Sequence, residues 1–342
     1  MRSKSHYYAI DMHSAGAQAR VVLSGIPLAR GNTINEKRLY LQQHHDDVRK
    51  LLMYEPRGGS QMSGSLIMPA SDPRADIGIV FIESGGWLTM CGAGTIGAAT
   101  ALIESGLIKA TEPETKIVFD TPAGLVTARV AIKDGSVQGV SLDNVASYLA
   151  VRDHKIHVPD YGDVEVDIAY GGNFYVIVPA SRFDLQIRPD QADQLKKVGR
   201  EIRAATNHSI SVQHQDEAIM PIPNLIFTEP GANSGTYRNM VLFGEAGVDR
   251  SPGGTGTSAR MAQLYARGEL QPGESFIHES IIGSRFEGKL MKVETVNGIE
   301  CVLPRITGRA FMIAIRNFYV DPEDTFPEGF GVGYAADARR PA

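Results

Sequence analysis

Cys91 stands directly before a run of glycines, in Met90-Cys91-Gly92-Ala93-Gly94-Thr95-Ile96-Gly97, and an Ala-rich apolar stretch follows. Glycines that open a helix leave its first N–H groups uncovered, and the helix dipole adds partial positive charge there. Such an end holds an anion. A thiol placed at it is expected to ionise more readily than a free one, so its thiolate is accessible near neutral pH. A thiolate base beside a carboxylate cradle is the equipment for removing the proton alpha to a substrate carboxylate. Taken alone, a cysteine is more often a small buried hydrophobe; its position at a helix start favours the catalytic reading. Cys301, in the strand-like Ile299-Glu300-Cys301-Val302-Leu303, reads as structural.

A second string, Pro252-Gly253-Gly254-Thr255-Gly256-Thr257-Ser258-Ala259, copies the first at an offset of 162 residues. At that one offset Phe81, Glu83 and Gly85 match Phe243, Glu245 and Gly247. Gly92, Gly94 and Thr95 match Gly254, Gly256 and Thr257, and Leu102 and Gly106 match Leu264 and Gly268. An ungapped repeat of strand, Gly-rich turn and helix reads as a duplicated half-domain. Two such turns facing each other make a paired anion cradle, with Gly92, Ala93, Gly254 and Thr255 acting through backbone N–H groups. The copies differ where it matters most, because Gly253 stands where the first carries Cys91. Asp249, just before Ser251-Pro252, reads on its own as a turn residue.

The remaining elements must position these residues. At 342 residues two domains are the prior. The expected halves are 1–150 plus 309–342, carrying Cys91, and 151–308, carrying Asp249 and Gly253. Period-2 runs predict strands over Tyr8–Asp11, Arg20–Leu23, Ile77–Glu83, Val164–Tyr170, Phe174–Val178, Leu225–Thr228, Asn239–Phe243 and Arg309–Ile315. Hairpins are predicted over 116–132 and 285–302. Helical spacing predicts Asp46–Met53, Thr95–Ser105, Asp190–Ala205 and Thr257–Arg267, the second and fourth being the central pair.

Composition excludes several classes. With 43% apolar and 21% charged residues the chain is not largely disordered. A net charge of -5 and the absence of basic runs give a nucleic-acid surface no support; Lys196, Lys197, Arg200 and Arg203 read as a solvated helix face. No apolar stretch is long enough to span a membrane. The N-terminus lacks the apolar core of a signal peptide, and two cysteines are too few for a disulfide framework, so a cytoplasmic location is expected. The Gly-rich runs lack the residues of a nucleotide site. His44-His45, His154 and His157 lack ligand spacing, so no metal is expected.

These residues resemble the proline racemase family. Asp11-Met12-His13-Ser14-Ala15-Gly16 with Arg20-Val21-Val22, Glu55-Pro56-Arg57-Gly58, Thr121-Pro122-Ala123-Gly124-Leu125-Val126, Gly171-Gly172-Asn173-Phe174-Tyr175 and Asp249-Arg250-Ser251-Pro252 look like family landmarks. The resemblance implies an α/β (α+β) fold of two pseudo-symmetric, diaminopimelate-epimerase-like domains, each a sheet around a central helix. The site lies in the cleft between them and uses no cofactor. It implies Cys91 as base and Asp249 on the substrate's ammonium. His13 is expected to be structural.

Racemases and 4-hydroxyproline epimerases of the family use two cysteines on opposite faces of the alpha carbon, whereas dehydratases of trans-3-hydroxy-L-proline typically keep one base. This chain carries Gly253 at the second cysteine position, Ala93 and Gly59 where a His is usual, and Ala17 where a Glu is frequent. The expected partner is a proline-like small molecule, with room for a homodimer. Dehydration of trans-3-hydroxy-L-proline is the leading expectation; proline or 4-hydroxyproline epimerisation, or a degenerate binder of the same ligands, are the alternatives.

Overall fold

The computed structural model describes residues 5–214, 222, 224–233, 235–244 and 247–332. In the first half, β1 (His6–Ser14) and β2 (Ala17–Ser24) form a hairpin, followed by α1 (Ile34–His44) and α2 (Asp46–Met53). Then come β3 (Ser63–Met68), β4 (Ile77–Glu83), β5 (Gly86–Leu88), α3 (Gly92–Glu104), β6 (Glu114–Thr121), β7 (Gly124–Lys133) and β8 (Ser136–Asp143).

The second half runs β9 (Tyr148–Val158), β10 (Gly162–Tyr170), β11 (Phe174–Pro179), α4 (Ala192–Ser209), β12 (Asn224–Pro230), β13 (Thr236–Phe243) and β14 (Gly247–Val248). It continues with α5 (Gly254–Ala266), β15 (Ser275–Glu279), β16 (Arg285–Val296), β17 (Ile299–Gly308) and β18 (Ala310–Tyr319).

The repeat is visible in the pairings. α3 and α5 begin and end at the same 162-residue offset. The parallel pairs β2–β3 and β4–β6 of the first half have counterparts in β11–β12 and β13–β15. β9 pairs with β10, while β18 returns to pair with β1. An antiparallel β8–β17 ladder joins the two halves into one continuous sheet.

The sheet wraps the two central helices because both are buried along most of their length, α3 almost wholly small and apolar and α5 with Thr255, Thr257, Ser258 and Gln263 among its buried residues. In α3 every residue from Gly92 to Ile103 is buried, and its Ala and Gly positions let strands approach closely. Leu102 of α3 and Leu264 of α5, a matched pair in the repeat, sit in one hydrophobic core with Phe81, Phe119, Phe276 and Phe286. The sequence places the start of α3 at Thr95, but the helix starts at Gly92. The Cys91 thiol caps it, Sγ accepting from the Gly94 N–H at 3.3 Å; cysteine is not a usual capping residue, so the boundary is hidden. α5 likewise begins at Gly254. Asp11 and Arg20 of the opening motif pair inside the sheet, Arg20 Nε donating to Asp11 at 2.8 Å, with Arg316 of β18 closing on the same carboxylate. They hold β1, β2 and β18 together and do not reach the cleft.

Candidate active site

The N-termini of α3 and α5 meet end to end. A Cβ placed on Gly92 would lie 2.6 Å from the Cα of Gly254, and one on Gly254 would lie 2.6 Å from the Cα of Gly92. Both positions therefore need glycine for close approach. The contact brings the uncovered N–H groups of both first turns to one place. Beside it lies a cavity of about 380 Å³, lined by Cys91, Gly92, Ala93, Asp249, Gly253, Gly254 and Thr255. All seven residues singled out in the sequence thus surround one space. Ala17, Gly59, Ala93 and Gly253, the four departures from the family pattern, line that same space.

The two halves are tied across the cleft by polar contacts. Asn173 Nδ2 donates to the Met90 carbonyl at 2.6 Å, and Thr89 Oγ1 donates to the Gly172 carbonyl at 2.6 Å. Tyr175 shares a 2.6 Å hydrogen bond with Thr255 Oγ1. The Thr255 hydroxyl is thereby occupied.

Pseudo-symmetry breaks at the catalytic position itself. Cys91 is extended, with φ -140° and ψ 109°, whereas Gly253 has φ 76° and ψ 114°. A side chain at 253 would have to adopt a left-handed backbone, and its Cβ would lie 3.3 Å from Val241 Cγ2 and 3.5 Å from Asp249 Oδ2. A side chain at 253 would thus be strained by the backbone, although its Cβ would meet no atom closer than 3.3 Å.

Asp249 combines both readings weighed for it. Its Oδ1 accepts from the Ser251 N–H at 2.8 Å and from Ser251 Oγ at 2.9 Å, as a turn residue does. Its Oδ2 is nearest Gly253 and takes no hydrogen bond from the described residues. Burial raises its carboxyl to about 6, against the lowering effect of the Ser251 donors and Arg250. It is poised to accept from an ammonium.

Cys91 departs from expectation. Its thiol is pushed up to about 12, first by burial, with the Gly94 and Ala93 N–H groups opposing and the charges of Asp249 and Glu83 adding to the rise. The helix-end argument counted the favourable N–H groups and not the two carboxyls facing them. In the unliganded cleft the thiol is protonated; a substrate ammonium on Asp249 would offset the opposing charge.

Glu83 is the site residue that sequence reasoning missed. It closes β4, lines the cavity, is 5% exposed, and its carboxyl makes no hydrogen bond with the described residues. Burial first, and then the charge of Asp249, raise it to about 8 against the pull of Arg49 and Arg203. Arg203 thus acts toward the interior and is not only part of a solvated face. The signal available was the repeat match to Glu245, which lies outside the described residues. His13 stacks on Phe311, His154 bonds Ser209 and His157 bonds Asp163, all away from the cavity lining. Among the described residues no group of three or more His, Cys, Asp or Glu is placed to hold a metal.

Two sheet-wrapped helices meeting at a thiol-bearing cleft define a protein of the diaminopimelate-epimerase-like fold. The family profile described as proline racemase matches residues 9–331. The chain is 44% identical to the 4-hydroxyproline 2-epimerase of Streptosporangium roseum, over 96% of this chain and 99% of that one. It is 41% identical to the proline racemase of Acetoanaerobium sticklandii, over 97% and 100%. It is 38% identical to the trans-3-hydroxy-L-proline dehydratase of Bacillus thuringiensis subsp. konkukian, again over 97% and 100%. A crystal structure of a hydroxyproline epimerase from Agrobacterium vitis with bound trans-4-hydroxy-L-proline superimposes with a TM-score of 0.93 at 36% identity, covering 97% of both chains. The chain belongs to the proline racemase family.

Proposed function

We propose that this protein is a cofactor-independent lyase that dehydrates trans-3-hydroxy-L-proline, with Cys91 as the single base at the alpha carbon. The observation that carries the reading is the asymmetry of the cleft: a thiol at 91 and, at 253, a glycine whose backbone disfavours any side chain. Inversion at the alpha carbon needs a base on one face and a proton donor on the other. Elimination needs one base and a leaving group.

In this reading the substrate carboxylate sits on the N–H groups of Gly92, Ala93, Gly254 and Thr255, and Asp249 Oδ2 accepts from the ring ammonium. That ammonium also offsets the carboxyl charges, which add to burial in holding the Cys91 thiol protonated. The Cα–H bond then breaks with its proton passing to the Cys91 thiolate. The electron pair forms the C2=C3 bond as the C3–O bond breaks, and hydroxide leaves as water after taking a proton. The enamine tautomerises to a pyrroline carboxylate. The full-length likeness to a dehydratase supports this reading, and the comparable likeness to an epimerase and a racemase keeps the substrate class proline-like in every case.

The test is incubation of the protein with proline, 3-hydroxyproline and 4-hydroxyproline stereoisomers, followed by NMR of the products. Consumption of trans-3-hydroxy-L-proline with appearance of the pyrroline is expected. Interconversion of 4-hydroxyproline or proline enantiomers, with 3-hydroxyproline untouched, would replace the lyase with an isomerase. No reaction and no exchange with any of them would leave a binder.

A further inference from the structure

We propose that Glu83 is the second proton carrier of the cleft, a carboxylic acid that donates to the departing hydroxyl the proton no side chain at 253 can give. The inference rests on the reading of Cys91 as the base and extends it to the other end of the elimination.

Three observations carry it. Glu83 lines the same cavity as Cys91 and Asp249, although it ends an otherwise apolar strand that is buried from Gly78 onward. The space around its carboxyl is kept by glycines: Oε1 lies 3.2 Å from where a Gly85 Cβ would be and 4.0 Å from where a Gly244 Cβ would be. And the carboxyl makes no hydrogen bond with the described residues, where a purely structural role would pair it. Arg49 is close enough to influence it, yet Nε and Nη2 of Arg49 donate to Asp46 at 2.7 and 2.9 Å. Arg49 Nη1 is spent on the backbone carbonyls of Glu83 and Ser84, at 3.1 and 3.0 Å. A carboxyl that ends a buried strand and opens onto the cavity, with its charge disfavoured by burial, is a candidate for function.

The groups that face Glu83 are Asp249 beyond β14, Cys91 at the cap of α3, Arg49 of α2 and Arg203 of α4. With burial, the first of these outweighs the two arginines and keeps the acid neutral up to about pH 8. The proton balance closes. The Cα proton ends on Cys91, the Glu83 O–H breaks as its proton joins hydroxide to give water, and Glu83 is left as a carboxylate. After product release, the Cys91 thiol loses its proton and Glu83 regains one through solvent.

The test compares wild-type protein, Glu83→Gln and Glu83→Asp. Two readouts are taken: turnover of trans-3-hydroxy-L-proline across pH, and deuterium incorporation at the alpha carbon of L-proline, which has no leaving group. Glutamine keeps the volume and cannot donate an acid proton. Glu83→Gln is expected to lose about 100-fold or more in kcat for elimination, with KM moving less and the alkaline limb of the pH profile gone. Its loss in L-proline exchange should be at least tenfold smaller than its loss in elimination. Glu83→Asp should recover part of the turnover. Elimination by Glu83→Gln at the wild-type rate, or equal losses in both readouts, would overturn the role of Glu83 while leaving that of Cys91 standing. A wild-type protein that leaves trans-3-hydroxy-L-proline untouched would instead overturn the dehydration reading, and the Glu83 role with it.

Discussion

Gly92 and Gly254 face each other so closely that a methyl group on either would stand 2.6 Å from the other's Cα. That contact makes one anion cradle out of two helix ends, each of which alone would present half of it. Gly92→Ala or Gly254→Ala must push α3 and α5 apart, because the atom met is backbone and cannot rotate away. Overpacking of this kind costs about 1–3 kcal/mol. Both variants should melt earlier and lose at least tenfold in kcat/KM, chiefly through KM. Denaturant titration and steady-state kinetics read the two effects separately.

Restoring a cysteine at the second position is not expected to restore a racemase. With φ at 76°, a non-glycine residue at 253 costs about 1–2 kcal/mol, and its Cβ would arrive 3.5 Å from Asp249 Oδ2. Gly253→Cys should be less stable than the wild type and show no gain in inversion of L-proline. Polarimetry on the purified variant checks this, and a clear gain in inversion would mean that the turn refolds to accept the thiol.

The pH dependence follows from two raised carboxyls. Asp249 must be ionised to hold an ammonium, so kcat/KM should rise as pH increases through about 6. Glu83 must be protonated to donate, so activity should fall as pH increases through about 8. The two are coupled, so the limbs belong to the pair. A bell between these limits is expected, and Asp249→Asn should raise KM and remove the acidic limb.

Glu83 should also reveal itself in stability. Its folded value lies above its unfolded one, near 4.3, so the unfolded chain releases this proton first. The stability it contributes is whole below about pH 4.3 and is lost progressively as pH rises to about 8. Glu83→Gln removes that loss. In urea unfolding at pH 8 the variant should exceed the wild type by on the order of a few kcal/mol, and the difference should shrink at pH 5.

What could be read from the sequence was what repeats or what sits in one continuous segment. The constant offset located both central helices and both Gly-rich turns. The strand Ile77–Glu83 and the helix Asp46–Met53 were legible to the residue from their apolar spacing. The strands β3, β5, β8, β9, β14 and β15 and the helix α1 were not read from the sequence; pairing with neighbouring strands and tertiary packing stabilise them. The chemistry of Glu83 was hidden for a different reason. Its proton affinity is set first by burial and then by Asp249, Arg49 and Arg203, which reach it from three separate elements. The same holds for Cys91: local sequence displays the helix end that favours a thiolate, and only the fold brings in the opposing carboxyls. The left-handed turn at Gly253 is likewise invisible in a residue name that fits any conformation.

The central claim is that the Cys91 sulfur takes the alpha proton, and proton NMR in heavy water tests it most directly. The wild-type protein should consume trans-3-hydroxy-L-proline and replace the alpha proton of L-proline with deuterium. Cys91→Ala should do neither while still binding ligand through the backbone cradle, and Cys91→Ser should be strongly impaired, since a hydroxyl is a far weaker acid than a thiol. Loss of the alpha-proton signal at the wild-type rate in Cys91→Ala would contradict the claim and assign the base to another group.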